Sequence, residues 1–525
     1  MTPVLPTRLI ALAIVAAAFL FRMPVAAKRV RLTPDGAAYF NVSRNLAAGR
    51  GFVSTIRLHY SLSKHTEPIE QPIRHSALSD WPPAYPVFSA VIVKCGGGMI
   101  ALQVTNALLV SICAGLVFLL GVRLFGMREG LIAGAAAALA PNLFRAGIVP
   151  LSDALGLTLA LAALLIALAG YRARIWLAAG LAAGAAALTR YPHAVVAFGL
   201  IAWATAYPKC RRCAAACAMG FALAVGPVLL WQWLSAGSAP CRLQMLHYCV
   251  GSFREAMWNA RATIDPLYAL HHPVQVATLS VRNTVAYASD LLVGPRGLFV
   301  FGLGLVAWAL SQRTAASREH KLVLTIAALS FAVHAATWSV PAVKGSRFML
   351  LSYSSLLPFG AAGLVRQTRL HARYAAVAAT ALTGVVYAWG CATASYFAGT
   401  DFALPKQQAR AIVDSLPPGT NLASDNPWVV NYSTGIPTAL LPRDLDKRSL
   451  TRYVHDLNIG RIVLLTRQPH TPTARALAEL QTPNPRCHGQ KAYEGRWKMI
   501  PQIVQKLPTM HSPSMTPRKN GSARL

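Results

Sequence analysis

Carboxylates are scarce in the first 395 residues, and their positions are the first clue to the chemistry. Asp35, Glu67, Glu70, Asp80, Asp153, Glu255, Asp265 and Asp290 fall in segments on one side of an alternating hydropathy pattern, and only Glu129 and Glu319 fall on the other. Asp35 follows a long apolar stretch, in Thr33-Pro34-Asp35. Asp153 heads another such stretch, after Pro150-Leu151-Ser152. Two carboxylates at one depth can share a cavity, and one beside a hydroxyl can take its proton as that oxygen attacks an electrophile. Arg190-Tyr191 and Lys344-Gly345-Ser346-Arg347 bring cations to the same side, where they can grip a phosphate through charge-assisted hydrogen bonds.

Each of these residues also has a structural reading. Asp35 suits the N-cap or first turn of a helix started by Thr33-Pro34, and Asp153 suits the positive end of a helix dipole. The cations can be snorkelling anchors. An ionisable residue at the edge of a membrane span is nonetheless a candidate functional group, and the case rests on their convergence.

The elements that must position them are read from the hydropathy. Of 525 residues, 54% are hydrophobic and 13% charged, and the mean hydropathy is +0.42. That composition indicates a polytopic, α-helical membrane protein. Apolar runs near the ~20 residues needed to cross a bilayer are expected near 9–27, 99–122, 129–146, 153–170, 175–190, 193–207, 213–235, 296–311, 321–340, 347–365 and 375–394, about eleven spans in all. The net charge of +32 would suggest nucleic acid in a soluble protein, but here it has a topological explanation and no nucleic-acid partner is expected. With the N-terminus inside, every short inner loop is basic: Arg123 and Arg128; Arg172 and Arg174; Lys209, Arg211 and Arg212; Arg313, Arg318 and Lys321; Arg366, Arg369 and Arg373. This is the positive-inside rule. It puts both long loops and the C-terminal portion on the extracytoplasmic side of a membrane, expected to be a bacterial plasma membrane. The first apolar stretch also admits a reading as a cleaved signal peptide ending at Val25-Ala26-Ala27.

The chain divides into a membrane portion over 1–395, with a first outer loop over 28–98 and a second over 236–295, an extracytoplasmic α/β domain over 400–505 and a disordered tail over 506–525. In the first loop, 35–48 reads as an amphipathic helix through Tyr39, Val42 and Leu46, stopped by Gly49. The second loop carries a helical pattern toward Leu292, suited to lie along the membrane interface. Beyond residue 400, short strands at Asn421–Ser424, Thr438–Leu441 and Arg461–Leu465 alternate with helical stretches at 404–416, 427–434 and 449–458, the pattern of a small α/β unit.

Nine cysteines form no dense disulfide framework. Cys241 and Cys249 can pair in an oxidising compartment or stay free. Cys210, Cys213 and Cys217 have metal-like spacing but too few ligands.

Asp35-Gly-Ala-Ala-Tyr39, Asn45-Leu-Ala-Ala-Gly49-Arg-Gly51-Phe52 and Trp81-Pro-Pro-Ala-Tyr85-Pro86 resemble the first outer loop of GT-C glycosyltransferases, a superfamily that includes the dolichyl-phosphate-mannose protein mannosyltransferases and the bacterial aminoarabinose lipid A transferases. The likeness continues through Ser152-Asp153, Leu188-Thr189-Arg190-Tyr191, Arg347 and Ala423-Ser-Asp-Asn-Pro427-Trp428. It implies a GT-C fold and transfer of a sugar, with inversion, from a polyprenyl-phosphate carrier to a lipid, glycan or protein acceptor. Asp35 matches the family's catalytic base and Asp153 its second acidic position. Tyr39, Arg44, Tyr85, Arg190, Tyr191, Lys344 and Arg347 are the implied substrate-binding residues. Protein mannosyltransferases carry Asp-Glu where this chain has Asp35-Gly36, which departs from a protein acceptor. No cofactor is implied, and no cluster with convincing divalent-metal spacing appears, although some superfamily members use such a metal. A transporter or flippase for a lipid-linked saccharide is the alternative. It would fit better with internal repeats and broken midplane helices, neither of which the sequence displays. A scaffold that binds a glycan or partner without turnover is a third reading.

Overall fold

The computed structural model describes residues 4–57, 75–77, 81–236, 245–260, 262–292, 298–311, 317–340, 347–370, 384–386, 388–389, 391–392, 403–465 and 471–481. Glu67, Glu70, Asp80, Cys241, Lys344, most of the expected span 375–394 and everything beyond 481, including the expected tail, lie outside the described residues.

The chain is an integral membrane protein built mainly of apolar helices. Helix α1 (Val4–Lys28) leads to α2 (Pro34–Ala47) in the first long loop, and α3 (Ala84–Lys94) returns the chain to α4 (Met99–Leu124). Then follow α5 (Met127–Leu139), α6 (Pro141–Gly147), α7 (Ser152–Leu168), α8 (Ala173–Thr189), α9 (Ala194–Ala206) and α10 (Arg211–Ala236). After the second long loop come α11 (Pro273–Leu292), α12 (Val300–Leu310), α13 (Arg318–Ala335) and α14 (Leu350–Leu370).

Among the described residues, three helices are long and apolar enough to cross a membrane, and α6 with α7 makes a fourth if that bent pair counts as one span. The single span expected near 129–146 is two helices. Pro141 has no N–H to continue α5 and drives the preceding Ala140 to an extended ψ of 126°. Arg190-Tyr191-Pro192 likewise separates α8 from α9, so the run of apolar residues there is divided into helices of 17 and 13 residues. Where helices pass closest, small residues allow it. A side chain at Gly180 would strike the Cys217 carbonyl, and one at Gly220 the Leu177 carbonyl, so α8 and α10 meet backbone to backbone.

Helix α2 has the boundaries its sequence signals. The Thr33 hydroxyl accepts from the Gly36 N–H at 3.1 Å, Pro34 occupies the first turn, and Gly49 ends the segment at φ +71°. One end of α2 reaches the membrane helices. Its flank packs on an α/β layer formed by β1 (Ile56–Arg57) from the first long loop with β2 (Asn421–Ser424), β3 (Thr438–Leu440) and β4 (Ile459–Val463), and with α15 (Lys406–Asp414), α16 (Pro427–Thr434) and α17 (Lys447–Asp456) between and around them. The strands are parallel, in the order β1-β3-β2-β4, with Ile56 of the edge strand β1 opposite Thr438. Asn41 of α2 donates to Asn431 at 2.8 Å and to Thr55 at 2.7 Å, and Leu32, Ala37, Phe40, Ile56, Trp428 and Val429 share one apolar cluster.

Candidate active site

Two backbone features bring the ends of α2 and α7 together. Between α6 and α7 the chain bends by 116°, and Asn106 of α4 holds the turn by donating to the carbonyls of Val149 at 2.7 Å and Leu151 at 2.8 Å. Against this turn lies Gly36, where a Cβ would stand 3.0 Å from the Pro150 carbonyl oxygen and 2.8 Å from the Thr33 hydroxyl. A larger residue would push α2 away from the turn. With glycine there, Asp35 and Asp153 face a common set of arginines.

Arg347, just before α14, donates through Nε to Asp153 Oδ2 at 3.0 Å and through Nη2 to Asp35 Oδ2 at 2.7 Å. Arg190, the residue that caps α8, donates from Nη1 to Asp153 Oδ1 at 2.5 Å. Both guanidinium groups lie over the Phe348 ring, 5.0 Å away for Arg190 and 5.7 Å for Arg347, in reach of cation–π attraction. Exposure separates the two acids. The Asp153 side chain is 1% exposed and that of Asp35 33%, so Asp153 anchors the arginines from below while Asp35 opens to solvent.

Tyr39 stands beside them. Its hydroxyl pairs with the Ser152 hydroxyl at 3.1 Å, and its ring meets Trp81 edge-on at 4.9 Å and Tyr85 at 5.1 Å. Burial first, and then the Asp35 carboxylate, raises the Tyr39 phenol above its ordinary pKa. Tyr85 is fully buried and donates to Asn106 at 3.2 Å. It thereby supports Tyr39 and, through Asn106, the turn. Tyr191 accepts from Gln232 of α10 at 3.2 Å. Arg44 lies apart from this cluster. It lies nine residues along α2 from Asp35, about 13 Å at the helical rise, with its guanidinium 5.9 Å from the Phe40 ring, and it does not join the carboxylates.

Sequence reasoning missed Asn106, Phe348 and a buried histidine. The His334 Nδ1 donates to the Ser330 carbonyl at 2.8 Å, and its ring lies 5.5 Å from Phe348. A polar residue inside an apolar run was the available signal for Asn106 and His334. Nothing local marks Phe348.

Both Asp153 oxygens are occupied by guanidinium groups. Among the described residues no group of three or more His, Cys, Asp or Glu is gathered to hold a metal.

Residues 80–231 match the family model described as dolichyl-phosphate-mannose-protein mannosyltransferase. No curated protein matches the sequence. Among solved structures, the Archaeoglobus fulgidus oligosaccharyltransferase AglB, in complex with an inhibitory peptide and a dolichol-phosphate, aligns with a TM-score of 0.55 at 13% identity, over 86% of this chain and 69% of that one. ArnT from Cupriavidus metallidurans bound to undecaprenyl phosphate aligns with a TM-score of 0.53 at 15% identity, over 85% of this chain and 87% of its own. In its apo state the same protein gives 0.55 at 16% identity, over 86% and 88%. By the sequence pattern of residues 80–231 and by a fold shared over most of its length, the chain resembles the GT-C superfamily of membrane glycosyltransferases.

Proposed function

We propose that this protein is an inverting glycosyltransferase that moves a sugar from a polyprenyl-phosphate carrier to a hydroxyl acceptor on the extracytoplasmic face of the membrane. The observation that carries the reading is the two-carboxylate, two-arginine cluster at Asp35, Asp153, Arg190 and Arg347. The polyprenyl phosphates bound to the two structurally similar proteins support this class of donor, and the family match over 80–231 supports sugar transfer.

In this reading Asp35, the more exposed acid, accepts the acceptor hydroxyl proton while the acceptor oxygen forms a bond to the anomeric carbon. The bond from that carbon to the phosphate oxygen breaks on the opposite face and its electron pair leaves with the phosphate, so the anomeric centre inverts. The leaving phosphate is already an anion and needs charge rather than a proton, which Arg190 and Arg347 supply. Arg347 now engages Asp35, and a carboxylate in an ion pair is a poor base. Donor phosphate therefore draws Arg347 from Asp35 and leaves the carboxylate free for the acceptor. Asp153 keeps both arginines oriented throughout. The same guanidinium charge allows the reaction to run without a divalent metal.

The test replaces Asp35 by Asn in protein shown to be inserted in membranes and measures transfer from polyprenyl-phosphate-linked sugars. Loss of transfer by about 10²-fold or more is expected. Full activity removes the base, and movement of the lipid-linked sugar across sealed vesicles without a new glycosidic bond replaces the reading with transport.

A further inference from the structure

Arg22 lies within α1, one of the helices apolar enough to cross a membrane, and is fully buried. Among the described residues it makes no ion pair. Its hydrogen bonds go to two backbone carbonyls, from Nη1 to Ala18 at 2.9 Å and from Nη2 to Ala137 at 3.3 Å. A guanidinium without a counter-ion in apolar surroundings is expensive to keep, and such residues in membrane helices are functional candidates.

The identity of the second carbonyl explains it. A helical N–H bonds the carbonyl four residues back, so if α5 continued, residue 141 would satisfy Ala137. That residue is proline and has no N–H to give. Arg22 supplies the absent donor, and the thiol of Cys391 meets the next orphan but one, the Leu139 carbonyl, at 3.2 Å. The end of α5 also carries the negative pole of its dipole, which favours a cation.

The following helix is wrapped around the same side chain. The guanidinium lies 6.0 Å from the Phe144 ring, and a Cβ at Gly147 would sit 3.1 Å from the Arg22 Cδ. From α6 the chain passes through the turn at 148–151 and enters α7, whose first turn carries Asp153. Arg22 and Asn106 thus secure the two ends of one interrupted segment.

We infer that Arg22 is a positioning residue, which stands in for the missing Pro141 amide and fixes the break that presents Asp153 to Arg190 and Arg347. The positioning role rests on the reaction proposed above, whereas the substitution of one donor for another does not.

Two measurements test it. The first is a cycle of Tm values in purified protein for the parent, Arg22→Met, Pro141→Ala and the double variant. Arg22→Met is expected to lower Tm by several degrees in the parent and by less than half as much beside Pro141→Ala, because alanine restores the amide. Equal drops in both backgrounds overturn the inference, whatever the protein catalyses. If Arg22→Met is not recovered from membranes, Arg22→Gln takes its place under the same criterion. The second compares sugar transfer. Arg22→Met is expected to lower kcat at least tenfold with the donor KM within twofold, and Arg22→Lys to restore most of the loss. Parent-level turnover in Arg22→Met, or equal losses in both variants, overturns the positioning role. A parent protein without transfer activity defeats the proposed reaction instead and leaves the Tm cycle to decide the contact.

Discussion

Arg347 meets Asp35 and Asp153 with different nitrogens of one planar group, Nη2 for the first and Nε for the second. The spacing of the two carboxylates is therefore set by a rigid fork. Lysine carries the charge but has no such fork. Arg347→Lys is expected to reduce transfer at least tenfold, which is about 1.4 kcal/mol of transition-state stabilisation. Initial rates in membranes with matched protein levels check this, and an unchanged rate would show that charge alone suffices.

The Asp153–Arg190 pair is far more deeply buried than the Asp35–Arg347 contact. Removing Arg190 leaves Asp153 with the Arg347 contact alone, and breaking a buried pair costs up to about 3–5 kcal/mol. Arg190→Leu alone is expected to lower thermal stability strongly. Joined with Asp153→Leu it should recover much of that loss while remaining inactive. Unfolding in detergent, read beside transfer assays, separates the two effects, and additive destabilisation would contradict the coupling.

Gly36 is a steric prediction. A Cβ there meets the Pro150 carbonyl at 3.0 Å and the Thr33 hydroxyl at 2.8 Å, and overpacking of this kind costs about 1–3 kcal/mol. Gly36→Ala should destabilise the chain and reduce transfer, and Gly36→Glu, which recreates the Asp-Glu pair of the protein mannosyltransferases, should do so more severely. Gain of transfer to a peptide acceptor by Gly36→Glu would instead show that the turn at Pro150 can yield.

Tyr39 gives a pH dependence. Its phenol titrates higher in the folded chain than its unfolded value of about 10, because burial and the Asp35 carboxylate disfavour the phenolate. Its contribution to stability is complete below that unfolded value and is lost as the pH rises toward the folded one. Tm followed from pH 8 to 11 should fall less steeply in Tyr39→Phe than in the parent, and identical slopes would show that Tyr39 contributes nothing to alkaline unfolding.

How much of this was legible in the sequence depended on the range of the forces involved. Helix α2 was readable almost to the residue, because Thr33, Pro34 and Gly49 act on their own backbone. The strands at 421–424 and 438–440 were readable for a similar reason, as short apolar runs between turns and helices. The helix lengths were less so. Pro141 lies inside a run of alanines whose hydropathy hides the interruption, and α12 covers only 11 residues of an expected span near 296–311. Asp35, Asp153, Arg190 and Arg347 could be nominated from position at span ends, but their mutual contacts could not, since Arg347 is 312 positions from Asp35. Tyr85 and Arg44 were nominated from neighbouring motifs, and tertiary packing places the first against the Tyr39 ring and the second away from the carboxylates.

The edge strand at Ile56–Arg57 has a consequence for how the molecule is made. Its partner at Thr438–Ala439, like Asn431 opposite Asn41 some 390 positions away, leaves the ribosome only after most membrane helices have been inserted. Until then the N-terminal loop has an unpaired backbone edge and an uncovered apolar flank on α2. A nascent chain stopped short of residue 440 is thus an incomplete machine at both ends, and truncation at the far terminus would be felt beside Asp35.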